Sequence, residues 1–211
     1  MMKRKEFLKR VGHSTLYGGM VLTGLSGCKK DNEQRPAEDC KLTGPDDLGP
    51  FFVAGSSNIV NLNTQNLPGT PMMVSGKVFS GEGASNPIEN AKIEIWHADS
   101  GGRYHPEGSG DVSDYEASQI TLRGFVLTPG DGSYSFQSIL PGLYGGRARH
   151  IHYRISASDH DILVTQSYFL GDARIQEDPL SQNAGDCRII SFQDNGSGTQ
   201  VGIVNFNIKK S

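Results

Sequence analysis

A chain of 211 residues with 20 Lys and Arg against 23 Asp and Glu carries a formal charge of −3. Without a basic block to track phosphates, that balance argues against nucleic acid as a partner. The 27 glycines are nearly twice the usual ~7%, and a glycine-rich chain of this length points to one loop-rich domain.

The first element is a leader. Lys3, Arg4, Lys5, Lys9 and Arg10 precede a modest apolar stretch from Leu16 to Leu25 and small residues before Cys28, the pattern of an export signal over 1–27. The stretch is shorter than the ~20 residues that span a bilayer, which argues against a permanent transmembrane anchor. LSGC at 25–28 resembles a bacterial lipobox, which would make Cys28 the lipidated first residue of a mature protein held at a membrane of the bacterial cell envelope, on its periplasmic or outer face. KRKEFLK at 3–9 is similar to a twin-arginine signal with Lys5 in place of the second arginine, and equally to a generic basic leader.

Residues 28–41 are charged and nearly free of apolar side chains, so they read as a polar tether, with the folded domain over 42–211. If Cys28 carries lipid, Cys40 and Cys187 are an even pair in a compartment where disulfides persist, and one bridge between them is expected as an alternative to two free thiols.

Short β-prone runs follow, separated by Pro-Gly, Asp-Gly and Asn-Gly turns: 72–80, 91–98, 120–127, 133–139, 149–156, 162–169 and 202–209. Ile93 and Ile95 share one face, Tyr134 and Phe136 another, and Val204, Phe206 and Ile208 a third. No segment carries a long amphipathic helix, although 173–180 has room for a turn or two. The fold class expected is all-β, a β-sandwich with little helix and with long functional loops after Ala98 and after Phe169. The loop over 99–119 is far longer than an ordinary connection.

The run RARHIHY at 147–153 raises a question of chemistry. On a strand, His150 and His152 point to one face while Ile151 and Tyr153 point to the other. Two imidazoles aimed at one point suit a metal, but an isolated pair also suits a plain surface strand, so the rest of the chain must decide.

LGPFFVAG (48–55), AKIEIWHADSGGRY (91–104), TLRGFVLTPGDGSYSFQSILPGLYGGRARHIHYRI (121–155) and TQSYFLGD (165–172) occur in that order. Together they resemble the intradiol ring-cleavage dioxygenases, the family of catechol 1,2-dioxygenase and protocatechuate 3,4-dioxygenase, from Leu48 to about Leu180. The resemblance implies one non-haem Fe(III) per chain, bound by Tyr104, Tyr144, His150 and His152. It further implies a catechol-type substrate and O2, ring opening to a muconate-type diacid, Tyr144 as the ligand that gives way and takes a substrate proton, and Arg147 as the cation that steadies charge on the ring. Gln166 and Arg123 are expected behind the ligands or in the pocket. The resemblance also leaves room for a homo-oligomer.

Three features depart from the family pattern. Ala148 stands where a proline is usual, the loop between the PGxY turn and Arg147 is short, as in a secreted branch, and the helical N-terminal domain of the catechol enzymes has no counterpart in this sequence.

The ligand set makes chemical sense by itself. A ferric ion favours anionic oxygen, which phenolate supplies once a cation draws the tyrosine pKa below its free value of ~10. Neutral imidazoles complete a mixed N/O site of a kind suited to iron rather than to softer metals. Taken singly, Tyr104 also suits a loop tyrosine, Tyr144 a corner tyrosine and Arg147 a solvated turn residue. His97 is expected to be strand-end packing or pocket lining, Trp96 core, and His105 and His160 exposed loop residues.

The rival is a transthyretin-like or carboxypeptidase-regulatory-like sandwich, a binding module of a cell-envelope lipoprotein without chemistry of its own. It accounts for 75–144 and leaves RARHIHY, Tyr104 and TQSYFLGD without a role.

Overall fold

The computed structural model describes residues 41–211. The leader, the Cys28 lipidation position and Cys40 of the expected disulfide lie outside the described residues. Among the described residues no helix is long and apolar enough to cross a membrane.

The described residues form twelve strands: β1 (Val53–Ala54), β2 (Pro71–Ser80), β3 (Lys92–Trp96), β4 (Gly110–Asp111), β5 (Arg123–Leu127), β6 (Ser133–Ile139), β7 (His150–Ser156), β8 (Leu163–Phe169), β9 (Ile189–Ile190), β10 (Gln193–Asp194), β11 (Gln200–Ile203) and β12 (Phe206–Ile208). They make two five-stranded sheets and a short parallel pair, β1 with β4. In the first sheet β2 is the spine. β6 runs antiparallel along one edge of it, β11 and β12 run parallel along the other, and β10 flanks β11. The second sheet has the order β5-β3-β7-β8-β9, antiparallel except for β8 with β9. Among the described residues the helical segments are single turns, of which α1 (Pro179–Gln182) and the 3-10 turn Ala173–Gln176 fill the expected 173–180 stretch.

Alternation explains how the sheets pack. Met72, Val74 and Val78 of β2 and Tyr134 and Phe136 of β6 meet Ile93 and Ile95 of β3 and Ile151, Tyr153 and Ile155 of β7 in one apolar core. That core is the inner face of both sheets.

The expected single strand over 202–209 is instead two, β11 and β12, broken at Val204 and Asn205. The chain there dips onto β2: Val204 N donates to Ser75 O at 2.9 Å and Lys77 N donates to Asn205 Oδ1 at 2.7 Å. Tyr134 closes the dip by donating its hydroxyl to Val204 O at 2.8 Å. Only glycine fits beneath, because a Cβ on Gly76 would lie 1.7 Å from that carbonyl oxygen.

Candidate active site

The residues with chemistry sit on the other face of the second sheet. In the register of β5, β3, β7 and β8, Arg123 lies opposite Trp96, Trp96 opposite His152, and His152 opposite Gln166; His150 lies opposite Tyr168 in a neighbouring row. Directly opposed residues share a face, so four strands present one cross-strand row of side chains. Unlike an ordinary outer face it is buried: Arg123 is 3% exposed, His152 2% and Gln166 0%. Three loops cover it, those holding Phe51 and Phe52, Tyr104, and Tyr144.

The two tyrosine loops are held against each other by main chain. A Cβ on Gly102 would lie 2.1 Å from Leu143 O, and one on Gly142 would lie 2.4 Å from Ser100 O. Side chains at either position would push the loops apart. Asp99 folds the first loop: its Oδ1 accepts from Gly101 N and Arg103 N at 2.8 and 3.0 Å, and its main-chain oxygen accepts from Gly142 N at 2.7 Å. Burial opposes ionisation of Asp99, but these amides and His105 hold its pKa below the usual carboxylate value. His105 is therefore half-buried, 2.8 Å from Asp99 Oδ2, not the exposed loop residue expected. His160 is likewise half-buried, with Nε2 2.8 Å from Ser80 Oγ.

Tyr104 is the point of convergence. Its phenol oxygen lies 2.9 Å from His150 Nε2 and 3.1 Å from His152 Nε2. Phe51 stacks on its ring at 4.2 Å, and Tyr144 meets it edge-on with centroids 5.4 Å apart. Trp96, stacked on His152 at 4.9 Å, is buried packing as expected, but on the site side of the sheet and not in the inter-sheet core.

Protonation states follow from the contacts. His150 Nδ1 is 2.7 Å from Ala148 O, which can only accept, so the proton sits on Nδ1 and Nε2 offers its lone pair. Burial pulls the His150 pKa down to about 4, and burial with His150 and Arg147 nearby holds His152 well below the ordinary value. Both rings are neutral near pH 7. Burial also pushes the Tyr104 phenol well above its ordinary pKa, partly offset by Arg147 and Arg123. Left to the protein alone, Tyr104 stays protonated.

His97 faces away from these groups. It is buried, with Nε2 2.7 Å from Ser138 Oγ on β6 and Nδ1 2.8 Å from Ala98 O, so it is the strand-end packing residue expected, tying one sheet to the other.

Arg147 reaches the site from the turn before β7. Its Nη2 donates to Gln166 Oε1 at 2.8 Å and to Tyr168 Oη at 3.3 Å, and its Nε donates to Asp178 Oδ2 at 2.9 Å. Gln166 is thus a direct partner of Arg147, and it also donates to Asp47 O at 2.7 Å. Arg123 sits behind the loops that cover the site and also lines a cavity with Tyr115 and Ile120. It donates to His105 O and Phe51 O at 2.7 and 2.9 Å, tying the Tyr104 loop and the Phe51 segment to β5. Burial lowers its pKa to about 10.

Sequence reasoning missed the acidic side of this network. Tyr168 donates to Asp46 Oδ2 at 2.8 Å, and the same oxygen accepts from Arg188, an ion pair only 3% exposed on each side. The one legible signal was local: Asp178 before Pro179 is an N-cap pattern.

The donor set fits a hard cation. Among the described residues no group of three His, Cys, Asp or Glu could hold a metal, so a centre here depends on its phenols. Tyr104 has one proton, which can satisfy only one of the two Nε2 atoms beside it, and His152 Nδ1 is buried without a hydrogen-bond partner. An electrophile held by both rings and both phenols would satisfy the remaining lone pair and allow Tyr104 to ionise.

Comparison with known proteins bears on the whole domain. Residues 48–210 match the family model described as dioxygenase. The chain is 31% identical over 153 residues to catechol 1,2-dioxygenase of Acinetobacter baylyi, covering 62% of this chain and 47% of that protein. It is 30% identical over 171 residues to hydroxyquinol 1,2-dioxygenase of Nocardioides simplex, covering 72% and 55%. The chain therefore spans about half the length of these relatives. Among solved structures, the dioxygenase domain of a dioxygenase and carbohydrate-binding protein fusion from Streptomyces sp. SirexAA-E matches 81% of this chain and 99% of that domain, with 30% identity and a TM-score of 0.67. The match runs through RARHIHY and TQSYFLGD, which the module reading leaves without a role: the chain belongs to the intradiol ring-cleavage dioxygenase family.

Proposed function

We propose that this protein holds one non-haem ferric ion through Tyr104, Tyr144, His150 and His152 and cleaves the ring of a catechol-type substrate with O2 to a muconate-type diacid. The observation that carries the reading is the position of the Tyr104 oxygen, within 3.1 Å of both histidine Nε2 atoms on a buried sheet face. Family membership supports the reaction class, as do relatives named catechol and hydroxyquinol 1,2-dioxygenase.

Bound there, a ferric ion would supply Lewis acidity, drawing electron density out of a catecholate ring so that it reacts with dioxygen at carbon. The chain's own residues divide the remaining work. His150 and His152 are fixed as neutral donors by burial and, for His150, by Ala148 O. Tyr104 is 2% exposed and wedged under Phe51, so it is the permanent phenol. Tyr144 is half-buried and edge-on to both Phe51 and Tyr104, so it is the one free to swing and take a substrate proton on its phenolate oxygen. Arg147, anchored by Asp178 and Gln166, offers a permanent positive charge to an anionic ring.

The same reading includes export and a lipid anchor on Cys28, which suits catechols met outside the cytoplasm. Mass spectrometry of the membrane fraction for a diacylated N-terminal cysteine tests it, and an unmodified Cys28 in a soluble product rejects it. The reaction is tested by loading the protein with ferric iron and following oxygen uptake across a panel of catechols. A burgundy protein that consumes one O2 per catechol is expected. A colourless protein that binds no iron would return the chain to the binding-module reading.

A further inference from the structure

The turn that carries Arg147 is closed on itself by Arg147 N donating to Tyr144 O at 3.0 Å. Gly145 and Gly146 have open space around them, yet Arg147 and His150 on either side of Ala148 must be placed to within a fraction of an ångström for the chemistry proposed above. Beyond that bond to Tyr144 O, Arg147 Nη2 reaches Gln166 and Tyr168 of β8, and four further contacts to 145–149 come from the loop after β8. Arg174 donates to Gly145 O, Asp172 Oδ2 accepts from Arg149 N at 2.9 Å, and Asp178 Oδ2 accepts from Arg147 Nε at 2.9 Å and from Ala148 N at 3.0 Å.

We propose that Asp178 is a positioning residue of the active site, one carboxylate oxygen fixing both the Arg147 guanidinium and, through the peptide of Ala148, the carbonyl that holds His150. The inference rests on the ferric reading above.

The two oxygens of Asp178 have separate duties. Oδ1 caps α1 by accepting from Leu180 N at 3.1 Å, while Oδ2 serves only the turn. Its side chain is fully buried, where a carboxylate without donors would be costly, and the turn supplies two of them. Ala148 N is a donor that a proline at this position lacks. On the far side of the same residue, Ala148 O receives His150 Nδ1 at 2.7 Å. A charge on the loop after β8 thus reaches a metal-ligand candidate and the substrate arginine through one dipeptide. No helix cap requires that connection.

The separation of duties makes the test specific. Asp178→Ser keeps an N-cap oxygen and loses the reach and charge of Oδ2; Asp178→Asn keeps the size and decides the matter if the serine variant does not fold. Ser181→Ala is the control. It loosens the same short helix, since Ser181 Oγ donates to Ile175 O and Asp178 O, without touching Oδ2.

Each iron-loaded full chain is measured for release of iron to a chelator, for the position of the visible tyrosinate band, and for kcat and KM separately. We expect either Asp178 variant to release iron or turn over substrate about 10- to 100-fold worse than the parent, with a displaced visible band and kcat falling more than KM rises. Ser181→Ala should stay within about twofold of the parent, by the same outer-partner scale. Parent-like iron release, band and kcat in the Asp178 variants overturn the proposal, as does a Ser181→Ala variant that falls equally far. A parent chain that takes up no iron removes the ferric reading itself, a result distinct from either.

Discussion

The second sheet has two faces that are equally dry and differently made. On the inner face Ile151, Tyr153 and Ile155 of β7 meet Phe136 and Phe206 in apolar packing, in which the buried Tyr153 hydroxyl is met by Ser167 Oγ at 3.1 Å. On the outer face His150, His152, Gln166 and Tyr168 are buried as deeply, but apart from His152 Nδ1 their polar side-chain atoms depend on particular neighbours: Ala148 O, Tyr104 Oη, Asp47 O, Arg147 or Asp46. A hydrophobic face tolerates exchange of like for like. A buried polar face does not, because removing one partner strands the other. The comparison predicts that outer-face changes alter chemistry and inner-face changes alter stability, with little crossing between them.

The largest break should come from Tyr104→Phe. It removes the oxygen beside both Nε2 atoms while keeping the ring that stacks on Phe51. Iron content and visible colour are expected to vanish and oxygen uptake to fall to background, while circular dichroism stays that of the parent. Iron retained unchanged in Tyr104→Phe and Tyr144→Phe alike would mean that the ligands are misassigned. Next in size is Arg147→Ala. Colour should persist, and kcat/KM should fall by about 10²- to 10³-fold, the scale seen when one preorganised charge-stabilising donor is lost. Steady-state oxygen uptake on iron-loaded protein checks it, and loss of colour along with rate would show that Arg147 holds the ligands instead of serving the ring.

How much of this was legible beforehand differs between the faces for a physical reason. Strand pairing and the inner core follow from local alternation, so Ile93, Ile95, Tyr134 and Phe136 fell where the period placed them. Tyr104, Tyr144, His150 and His152 were legible through motif resemblance, and the structure brings both histidines to Tyr104 and sets the Tyr144 ring beside it. What the sequence hid is the carboxylate side. Asp46, Asp178 and Arg188 come from segments with no period of their own, and Arg188 sits 142 positions from its partner. Such contacts depend on how long loops fold over a sheet, which local pattern does not encode. For the same reason His105 and His160 read as exposed, since Asp99 and Ser80 were not visible as partners.

A polar pair bridging the inner faces supplies a sharper comparison. Neutral His97 donates to Ala98 O and accepts from Ser138, and burial, which disfavours its charged form, lowers its pKa to about 4. Its unfolded value is near 6.5. The unfolded chain therefore binds a proton that the native state refuses between those values, so stability is full above pH ~6.5 and declines as pH falls toward 4. The loss from this residue alone is about 3 kcal/mol at the lower end. Urea titrations of metal-free protein at pH 7 and pH 4.5 should show it, and His97→Gln should reduce the difference, leaving the part that His150 and His152 contribute. An unchanged pH dependence in that variant would assign the acid sensitivity to the outer-face histidines instead.

The smallest effect expected is the most discriminating, because it is made between the two histidines themselves. Ile151 follows His150 and precedes His152 on β7, but its side chain enters the apolar core and is 0% exposed. Ile151→Val removes one methylene from that core and should cost about 0.5 to 1.5 kcal/mol of unfolding free energy. Its Cβ points away from both imidazoles, so the visible band, iron release and KM should match the parent. A shifted band at so small a cost in stability would show that strand β7 carries packing strain from one face to the other. Identical spectra with the expected drop in urea midpoint would place the division between fold and chemistry within three consecutive residues, on opposite sides of one strand.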